Sequence, residues 1–358
     1  MIYLSFCNVK IAESHMSVDK LSAQKHEFET ITIRNSRGME ARFCSNGARI
    51  MSLIVPDKNG KRIDVVNGFA TAEEYDESTG PYYGATIGRY ANRIAKGKFS
   101  MASKSYQLNV NDGGNTLHGG ENGFHYQDWR MTKMGDSSVL FTLTSPDGDN
   151  GFPGKLYVRV LYTVSSNNSL VISYESKTEQ PTYINLTNHS FFNLNGKGSI
   201  LKHKLQIRAD KYTPIDDKLI PTGRIDFVEK SPLDFRELKE MGSRIEENFE
   251  QLKFAKGYDH NFVLNGGWLE AAAIVVGDES GIRMKVYTQE PGLQFYSGNF
   301  MNGENKLRTG PDSFRTAFCL ETQHFPDSPN HNNFPSTILR PGEIRKSKTI
   351  YAFDIEQK

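Results

Sequence analysis

Short runs of alternating apolar and polar residues follow one another from about residue 28 to the end of the chain. Each run is bounded by Gly, Asn, Asp or Pro, which are the residues that most often form turns. Val139, Phe141 and Leu143 fall on one side of such a run, since successive side chains of a strand face opposite sides of a sheet. Regularly spaced strands without intervening helices favour an all-β antiparallel sandwich or barrel over a parallel α/β fold.

Residues 271–276 and 282–289 are the clearest pair of predicted strands. They flank the turn residues Gly277 to Gly281, so we expect a hairpin with a loop of about five residues. Helical periodicity is scarce. It predicts three short helices, over residues 71–76, 233–241 and 246–254.

The charge of the chain is balanced, with 43 Lys and Arg against 42 Asp and Glu among its 358 residues. Because a basic stripe is missing as well, neither nucleic acid nor an anionic membrane is an expected partner, and a neutral ligand fits better. No stretch approaches the roughly 20 apolar residues of a membrane span. Cys7, Cys44 and Cys319 form no C-x-x-C pair, so we expect a reducing, cytoplasmic setting without disulfides or zinc.

Residues 1–26 are polar and lack the basic start, sustained apolar centre and cleavage site of a signal peptide. We expect them to form a flexible N-terminal arm. Residues 27–358 contain no repeat, low-complexity tract or linker, so they are predicted to form a single domain.

Two glycine-containing stretches carry more polar groups than a core strand needs. Residues 88–94 hold Arg89, Asn92 and Arg93, whose forked donors and amide groups suit sugar hydroxyls, although a solvated edge strand would look similar. Residues 111–120 hold four glycines around His118. Glycine lets the backbone approach a ligand closely, which would allow His118 to enter a cleft, although a histidine after a turn is usually a surface or capping residue.

Three further stretches hold candidate acid or base groups. Residues 185–194 place His189 among Asn, Thr and Ser, and each such group costs about 1–3 kcal/mol if it is buried without a partner. Residues 258–262 include Asp259, whose carboxylate is a candidate functional group. The alternative is that Asp259 belongs to an ordinary turn before a strand. Glu321 follows the apolar run 317–320, so it is expected at the end of a buried strand, where desolvation raises the pKa of a carboxyl group.

Taken in order, these segments resemble the aldose 1-epimerase family, and no Walker A, H-E-x-x-H, G-x-S-x-G or G-x-G-x-x-G motif competes with that interpretation. The resemblance implies a large antiparallel β-sandwich, the galactose mutarotase-like supersandwich, with a few short helices and an open sugar cleft. It implies interconversion of the α and β anomers of free aldohexoses such as galactose and glucose, without a metal or other cofactor. The matching segments are GRYANRIAKGKF, NTLHGG, TNHSFFNL, YTPIDDKLIPTG, YDHNFVL, PGLQFYSGN and LETQHFPDSPNHNNFPS.

The resemblance also implies a role for individual residues. Glu321 falls on the general base of the family and His189 on its general acid. Tyr296 or Phe192 would cover the apolar face of the sugar, whereas Asp216 and Asp217 are expected to be structural. Departures from the family pattern are slight, with Tyr90 in place of Val and Phe191-Phe192 in place of Tyr-Phe. The positions that fall on substrate contacts are Asn92, Arg93, His118, Asp259 and Gln294.

Three alternatives remain open at this level. A hexose-6-phosphate 1-epimerase would need clustered Arg or Lys beside the cleft, and the motifs offer only Arg89 and Arg93. A carbohydrate-binding protein without activity would be free to lose Glu321 or His189, and a glycoside hydrolase would need two paired carboxyl groups. The chain is expected to be a monomer or a homodimer.

Overall fold

A nine-stranded antiparallel sheet forms one layer of the computed structural model, which describes residues 27–80 and 82–356. Its central strands are long and alternate between buried and partly exposed residues, as expected for a sheet with one face on a core. In spatial order the strands are Arg130–Lys133, Ser138–Ser145, Leu156–Ser165, Ser169–Thr178, Arg345–Ile355, Ile282–Thr288, Ala273–Val276, Lys204–Ile207 and Lys239–Glu240.

Two smaller antiparallel sheets contribute to the same core. The five-stranded sheet consists, in spatial order, of Asp226–Phe227, Lys211–Tyr212, Asp259–Val263, Gly292–Tyr296 and Cys319–Gln323. The four-stranded sheet consists of Thr30–Arg34, Glu40–Cys44, Arg49–Pro56 and Arg62–Asp64.

One buried hydrophobic cluster joins the three sheets. It contains Tyr162 of the nine-stranded sheet, Phe43 of the four-stranded sheet and Phe295 of the five-stranded sheet. Phe43 and Tyr162 pack with ring centroids 4.7 Å apart. Sheets that bury their apolar faces against each other form a sandwich, so the predicted all-β antiparallel architecture is confirmed.

Six short strand pairs accompany the three sheets in the described part of the chain. Most are two residues long and join segments distant in sequence. The pairs are Val66–Asn67 with Phe191–Phe192, Thr86–Ile87 with Thr187–Asn188, Arg93–Ile94 with Thr116–Leu117, Lys98–Met101 with Lys104–Gln107, Thr182–Tyr183 with Ile338–Leu339, and Lys306–Leu307 with Gly310–Pro311.

Helices are few and short in the described part of the chain. The α-helix Glu250–Ala255 overlaps the second half of the helix predicted over 246–254 and ends one residue after it. A 3-10 turn at Glu73–Tyr75 replaces the helix predicted over 71–76. The other 3-10 turns are Ala95–Gly97, Phe124–Tyr126, Asp149–Gly151 and Ser328–Asn330.

The helix predicted over residues 233–241 is wrong. A turn occupies its first half, and Lys239–Glu240 forms an edge strand paired with Leu205 and Lys204. The buried residues Leu233, Phe235 and Met241 do not recur at helical spacing, so pairing with the open sheet edge satisfies this backbone instead.

The predicted hairpin is confirmed, since Ala273 lies opposite Val286 and Val276 opposite Arg283. The predicted arm of residues 1–26 lies outside the described residues, and the assignment of residues 27–358 to a single domain stays a prediction. None of the helices that the structure describes has the length and apolar character needed to cross a membrane.

Candidate active site

A cavity of about 450 Å³ opens beside the five-stranded sheet. Six of the seven residues predicted to form the site line it, and the seventh, Gln294, bonds to one of them. The predicted residues in the lining are Asn92, Arg93, His118, His189, Asp259 and Glu321. Other lining residues include Tyr82, Asp112, Phe191, Leu219, Tyr296, Phe300, Glu304 and Asp312.

Three adjacent strands of the five-stranded sheet place two carboxylates, Asp259 and Glu321, and the amide of Gln294 on one face. Gln294 lies directly opposite Glu321 on one side and Asn261 on the other, while Asp259 lies opposite Tyr296. Residues two apart in a strand share a face, so Asp259 is a diagonal neighbour of Gln294. The Gln294 amide Nε2 donates to Asp259 Oδ1 at 2.7 Å, and this bond orients the Asp259 carboxylate.

His189 follows the short strand Thr187–Asn188 at the wall of the cavity. Its backbone N–H donates to the Ala85 carbonyl at 2.9 Å, and its carbonyl accepts from the Gly84 N–H at 3.0 Å, which fixes the residue in place. The imidazole stacks with the Tyr82 ring at 5.6 Å and with the Phe191 ring at 4.9 Å between centroids. The ring therefore has little freedom to turn.

The two groups predicted to act as acid and base meet at this point. His189 Nε2 lies 3.6 Å from Glu321 Oε1, and both side chains are almost fully buried. His189 Nδ1 lies 3.5 Å from the Cys319 thiol, which shares the strand and the face of Glu321. Glu321 Oε2 has no hydrogen-bonding partner among the described residues, so this oxygen can accept a proton from a ligand.

Burial disfavours the charged form of both groups. It raises the pKa of Glu321 well above its ordinary value, the negative Asp259 adds to that effect, and Arg93 opposes it. Burial also lowers the pKa of His189 to about 4, assisted by the positive charge of Arg49 and opposed by a hydrogen bond to the backbone. Burial therefore opposes the doubly charged pair, and it favours a shared proton on the Glu321 carboxyl group over the His189 imidazole.

His118 faces His189 across the cavity, with ring centroids 5.2 Å apart. Its Nδ1 accepts the Asn92 backbone N–H at 3.1 Å, so a neutral His118 carries its proton on Nε2 and is a hydrogen-bond donor there. Burial and the neighbouring His189 keep the pKa of His118 well below its ordinary value. Gly119, which follows His118, has φ +90° and packs closely against the backbone of Gly88. A Cβ at this position would lie 2.1 Å from the Gly88 carbonyl oxygen, so the close contact requires glycine.

Arg93 carries its positive charge beside the carboxylates. Its Nε donates to Asp112 Oδ2 at 2.7 Å, and Asp112 lines the cavity as well. Burial raises the pKa of Asp259, while the charge of Arg93 and the hydrogen bond from Gln294 oppose that rise. Sequence reasoning had located Arg93 but not its partner.

Several predictions about the walls need correction. Phe192 is fully buried in the core against Phe318, so the residue that lines the cavity is its neighbour Phe191. Tyr296 lines the cavity as expected. Arg89 points away from it and donates through Nη1 to the carbonyls of Pro153 and Gly154 at 2.9 and 2.8 Å.

The loop of Asp216 and Asp217 behaves as the structural element that we expected. Asp216 Oδ1 accepts the backbone N–H groups of Lys218 and Ile220 at 2.9 and 3.0 Å. This turn presents Leu219 to the cavity.

Sequence reasoning missed Tyr82, Asp112 and Cys319. Alternation along the strand could have placed Cys319 on the face of Glu321, since the two are separated by one residue. Asp112 looks like an ordinary turn residue in an Asp-Gly-Gly-Asn sequence, and nothing in the chain around Tyr82 distinguishes it from a core tyrosine.

One nitrogen each of His118 and His189 and one oxygen of Glu321 lie within 4.8 Å of one another. Two imidazoles and a carboxylate can bind a transition metal, but the same three groups can also surround the oxygens of a sugar. The predicted absence of a metal therefore stays a prediction.

The sequence pattern of the family described as aldose 1-epimerase matches residues 29–352. Galactose mutarotase of Mus musculus is 44% identical over 313 residues, 86% of this chain and 89% of the mouse protein. Aldose 1-epimerase of Escherichia coli (strain K12) is 38% identical over 341 residues, 94% of this chain and 98% of the bacterial protein.

Solved structures agree with this assignment. The GalM/aldose epimerase homologue from C. elegans superimposes with a TM-score of 0.87 at 30% identity, covering 92% of this chain and all of that one. Galactose 1-epimerase from Lactobacillus acidophilus superimposes with a TM-score of 0.80 at 26% identity over 92% of this chain. The chain belongs to the aldose 1-epimerase family. It is a carbohydrate isomerase, and its activity is that of a mutarotase, as the sequence motifs predicted.

Proposed function

We propose that this protein interconverts the α and β anomers of free aldohexoses such as galactose and glucose, with Glu321 as general base and His189 as general acid. The observation that carries the proposal is the 3.6 Å separation of His189 Nε2 and Glu321 Oε1 at the wall of a cavity large enough for a hexose. Two proton-transfer groups at this spacing can reach the anomeric hydroxyl and the ring oxygen of the same sugar.

Ring opening needs one proton removed and one supplied. Glu321 as carboxylate takes the proton of the C1 hydroxyl, while His189 as imidazolium protonates the ring oxygen, and the C1–O5 bond breaks to give the open aldehyde. Rotation about C1–C2 and reclosure with the two roles reversed deliver the other anomer. The proton gained by Glu321 and the proton lost by His189 are exchanged back at closure, so the enzyme is unchanged.

The active form of the pair differs from the form that burial favours. When the pair shares one proton, moving it from the Glu321 carboxyl to the His189 imidazole produces the carboxylate and the imidazolium that the reaction uses. A sugar hydroxyl that donates to Glu321 stabilises the carboxylate, and a ring oxygen that accepts from His189 stabilises the imidazolium. Substrate binding therefore favours the reactive arrangement.

The other residues in the proposal hold the sugar while its C1 end turns. His118 Nε2 donates, the Asp259 carboxylate accepts, and Arg93 and Asn92 offer forked and amide donors. Gln294 acts mainly by orienting Asp259 through the 2.7 Å bond. Aromatic rings of Tyr82, Phe191 and Tyr296 supply apolar walls for the carbon face of a pyranose.

The charges around the cavity support a neutral sugar over a sugar phosphate. Among the described residues that line it, Arg93 is the one Lys or Arg side chain, and Asp112 already binds it. A phosphate needs several cationic donors, whereas Arg89, the second candidate in the sequence, points away from the cavity. Retention of both Glu321 and His189 supports catalysis over mere sugar binding.

The test is polarimetry with freshly dissolved α-D-galactose and α-D-glucose, with glucose 6-phosphate as the charged comparison. We expect the protein to accelerate mutarotation of both neutral sugars at micromolar or lower concentration. A rate equal to that of buffer for every aldohexose would reject the proposal. We include in it a monomeric or homodimeric state. We also include a cytoplasmic location, which the free, buried thiols of Cys44 and Cys319 support.

A further inference from the structure

The cavity carries an excess of negative groups. Its described lining contains five carboxylate side chains and, of Lys and Arg, the Arg93 side chain only. Each carboxylate that stays ionised repels an anionic ligand and so lowers its affinity for the cavity. Arg93 is the one Lys or Arg side chain of this lining that can attract an anion, so its pairing with another residue determines how strongly the cavity disfavours an anionic ligand.

Asp112 is fixed in place rather than free on the surface. It begins a two-residue turn in which its N–H and carbonyl pair with the carbonyl and N–H of Asn115 at 3.1 and 2.8 Å. Gly113 and Gly114 have φ values of +54° and +90°. A tight two-residue hairpin turn of type I′ requires a positive φ at both central positions, which glycine adopts readily. This turn leads into Thr116–Leu117, the strand that pairs with Arg93–Ile94, so the turn and the arginine share one framework.

The ion pair between the two side chains is well placed to control Arg93. The carboxylate approaches Nε, and the Arg93 side chain is 11% exposed against 33% for Asp112. Binding through Nε holds the guanidinium plane while its two Nη groups remain as donors for other partners. A partly buried pair of this kind is screened less by solvent than a surface pair.

We propose that Asp112 is a specificity-determining and positioning residue that makes the cavity select neutral aldoses over anionic sugars such as hexuronates. It does so by orienting Arg93 for hydroxyl recognition and by cancelling the positive charge that would otherwise attract a carboxylate or phosphate. The inference rests on the proposed function, since it concerns which sugars reach Glu321 and His189.

The test compares two sugars that differ only at C6. D-galactose carries a hydroxymethyl group there, and D-galacturonate carries a carboxylate. We expect wild-type protein to favour galactose, and Asp112→Asn to raise the ratio of kcat/KM for galacturonate over that for galactose about tenfold, the size expected from removing one partly screened charge. For galactose itself, KM should rise while kcat changes about threefold or less, because Arg93 loses its orientation but the acid and base stay in place.

A second readout separates this role from a merely structural one. Since Arg93 lowers the pKa of Glu321, an Arg93 freed from Asp112 should shift the alkaline limb of the kcat/KM profile towards lower pH. Asp136→Asn is the matched control, because Asp136 forms an exposed ion pair with Lys133 and neither residue lines the cavity. Neither the sugar ratio nor the pH limb should change in this control.

Two outcomes would overturn the inference. One is an unchanged galacturonate-to-galactose ratio in an Asp112→Asn protein that melts like wild type, and the other is a wild-type enzyme that treats both sugars equally. If Asp112→Asn fails to fold, Asp112→Glu keeps the charge and must retain the discrimination. Failure of wild type to accelerate galactose would instead reject the proposed function, and calorimetric binding of galacturonate, expected to tighten in Asp112→Asn, would still test the charge argument.

Discussion

The two faces of the five-stranded sheet are equally buried but chemically opposite. Strands Asp259–Val263, Gly292–Tyr296 and Cys319–Gln323 are almost entirely inaccessible to solvent on both sides. One face contributes Phe262, Phe295 and Leu320 to the hydrophobic core. The other carries Asp259, Asn261, Gln294, Tyr296, Cys319, Glu321 and Gln323.

Unsatisfied polar atoms are concentrated on the second face. Asn261 Oδ1, Gln294 Oε1, Glu321 Oε2 and Gln323 Oε1 have no hydrogen-bonding partner among the described residues, and His260 Nε2 is the exception on the apolar face. Each such atom costs about 1–3 kcal/mol. The comparison indicates that the apolar face maintains the fold, while the polar face gives up stability and contributes Asp259, Tyr296 and Glu321 to the cavity lining.

The largest expected effect comes from Glu321→Gln on the polar face. We expect kcat/KM for α-D-galactose to fall about 10³-fold in polarimetry, because the amide cannot accept the C1 hydroxyl proton. Stability should not fall. A raised folded pKa means that a carboxyl group stabilises the fold below its unfolded pKa and loses that contribution as pH rises through the folded pKa. The glutamine variant should therefore gain on wild type in melting temperature as pH rises above the ordinary glutamate pKa.

Glu175→Gln, on the outer side of the nine-stranded sheet, is the control for that substitution. Glu175 pairs with Arg159 and Lys346 and lies outside the cavity lining, so its variant should keep the wild-type rate within about twofold. A Glu321→Gln enzyme with full activity would remove the general base from the mechanism.

Phe295→Ala tests the opposite face. Phe295 is fully buried and packs against Tyr258 and Phe235 at 5.2 and 5.6 Å between centroids, so we expect a loss of about 3–5 kcal/mol in the free energy of unfolding, measured with urea. Tyr296→Phe, on the next residue and the other face, removes one hydrogen bond from the Phe300 N–H and should cost about 1 kcal/mol. Equal losses in the free energy of unfolding would contradict the conclusion that the apolar face stabilises the fold more than the polar face does.

The pH dependence of kcat/KM sharpens the assignment of the polar face. Below about pH 4 His189 and Glu321 are both protonated and the base is lost, and above the raised pKa of Glu321 the pair has no proton left for the ring oxygen. We therefore expect a bell-shaped profile, after subtraction of the spontaneous rate, with its acid limb near pH 4. An acid limb centred near the ordinary histidine pKa would contradict the burial argument for His189.

The smallest effect is expected from metal removal. The donor atoms of His118, His189 and Glu321 lie close enough together to bind a metal, yet the proposed proton transfers need none. Dialysis against a strong chelator should leave the mutarotation rate within about twofold, and added Zn²⁺ should inhibit by occupying the same donors. A rate that disappears with the chelator and returns with a metal would show that the polar face works as a metal centre.

Much of this architecture could be predicted because it depends on local alternation and turns. The hairpin around residues 277–281 and the burial of Glu321 after an apolar run follow from patterns within a few residues. The edge strand Lys239–Glu240 could not be predicted from local sequence, because it forms by pairing with the strand Lys204–Ile207, which lies more than 30 residues earlier in the chain.

The site could be predicted only in part for the same reason. Motif resemblance located Glu321 and His189, but their protonation depends on burial by distant segments, and the expected ion pair is disfavoured before a sugar binds. Asp112 escaped notice because its importance comes from one contact, with Arg93 in another segment. Phe191 and Phe192 are adjacent, and only the pairing of their strand decides which of them meets the cavity.

The register that sets Gln294 opposite Glu321 has a consequence for how the chain reaches its native state. Because side chains alternate, a slip of one residue that reverses the strand Cys319–Gln323 relative to Gly292–Tyr296 would place Glu321 in the hydrophobic core and Leu320 on the face of the cavity. Such a misfolded form would be both unstable and inactive. If Glu321 is the general base, mutarotation activity will therefore report on the correct register of these two strands.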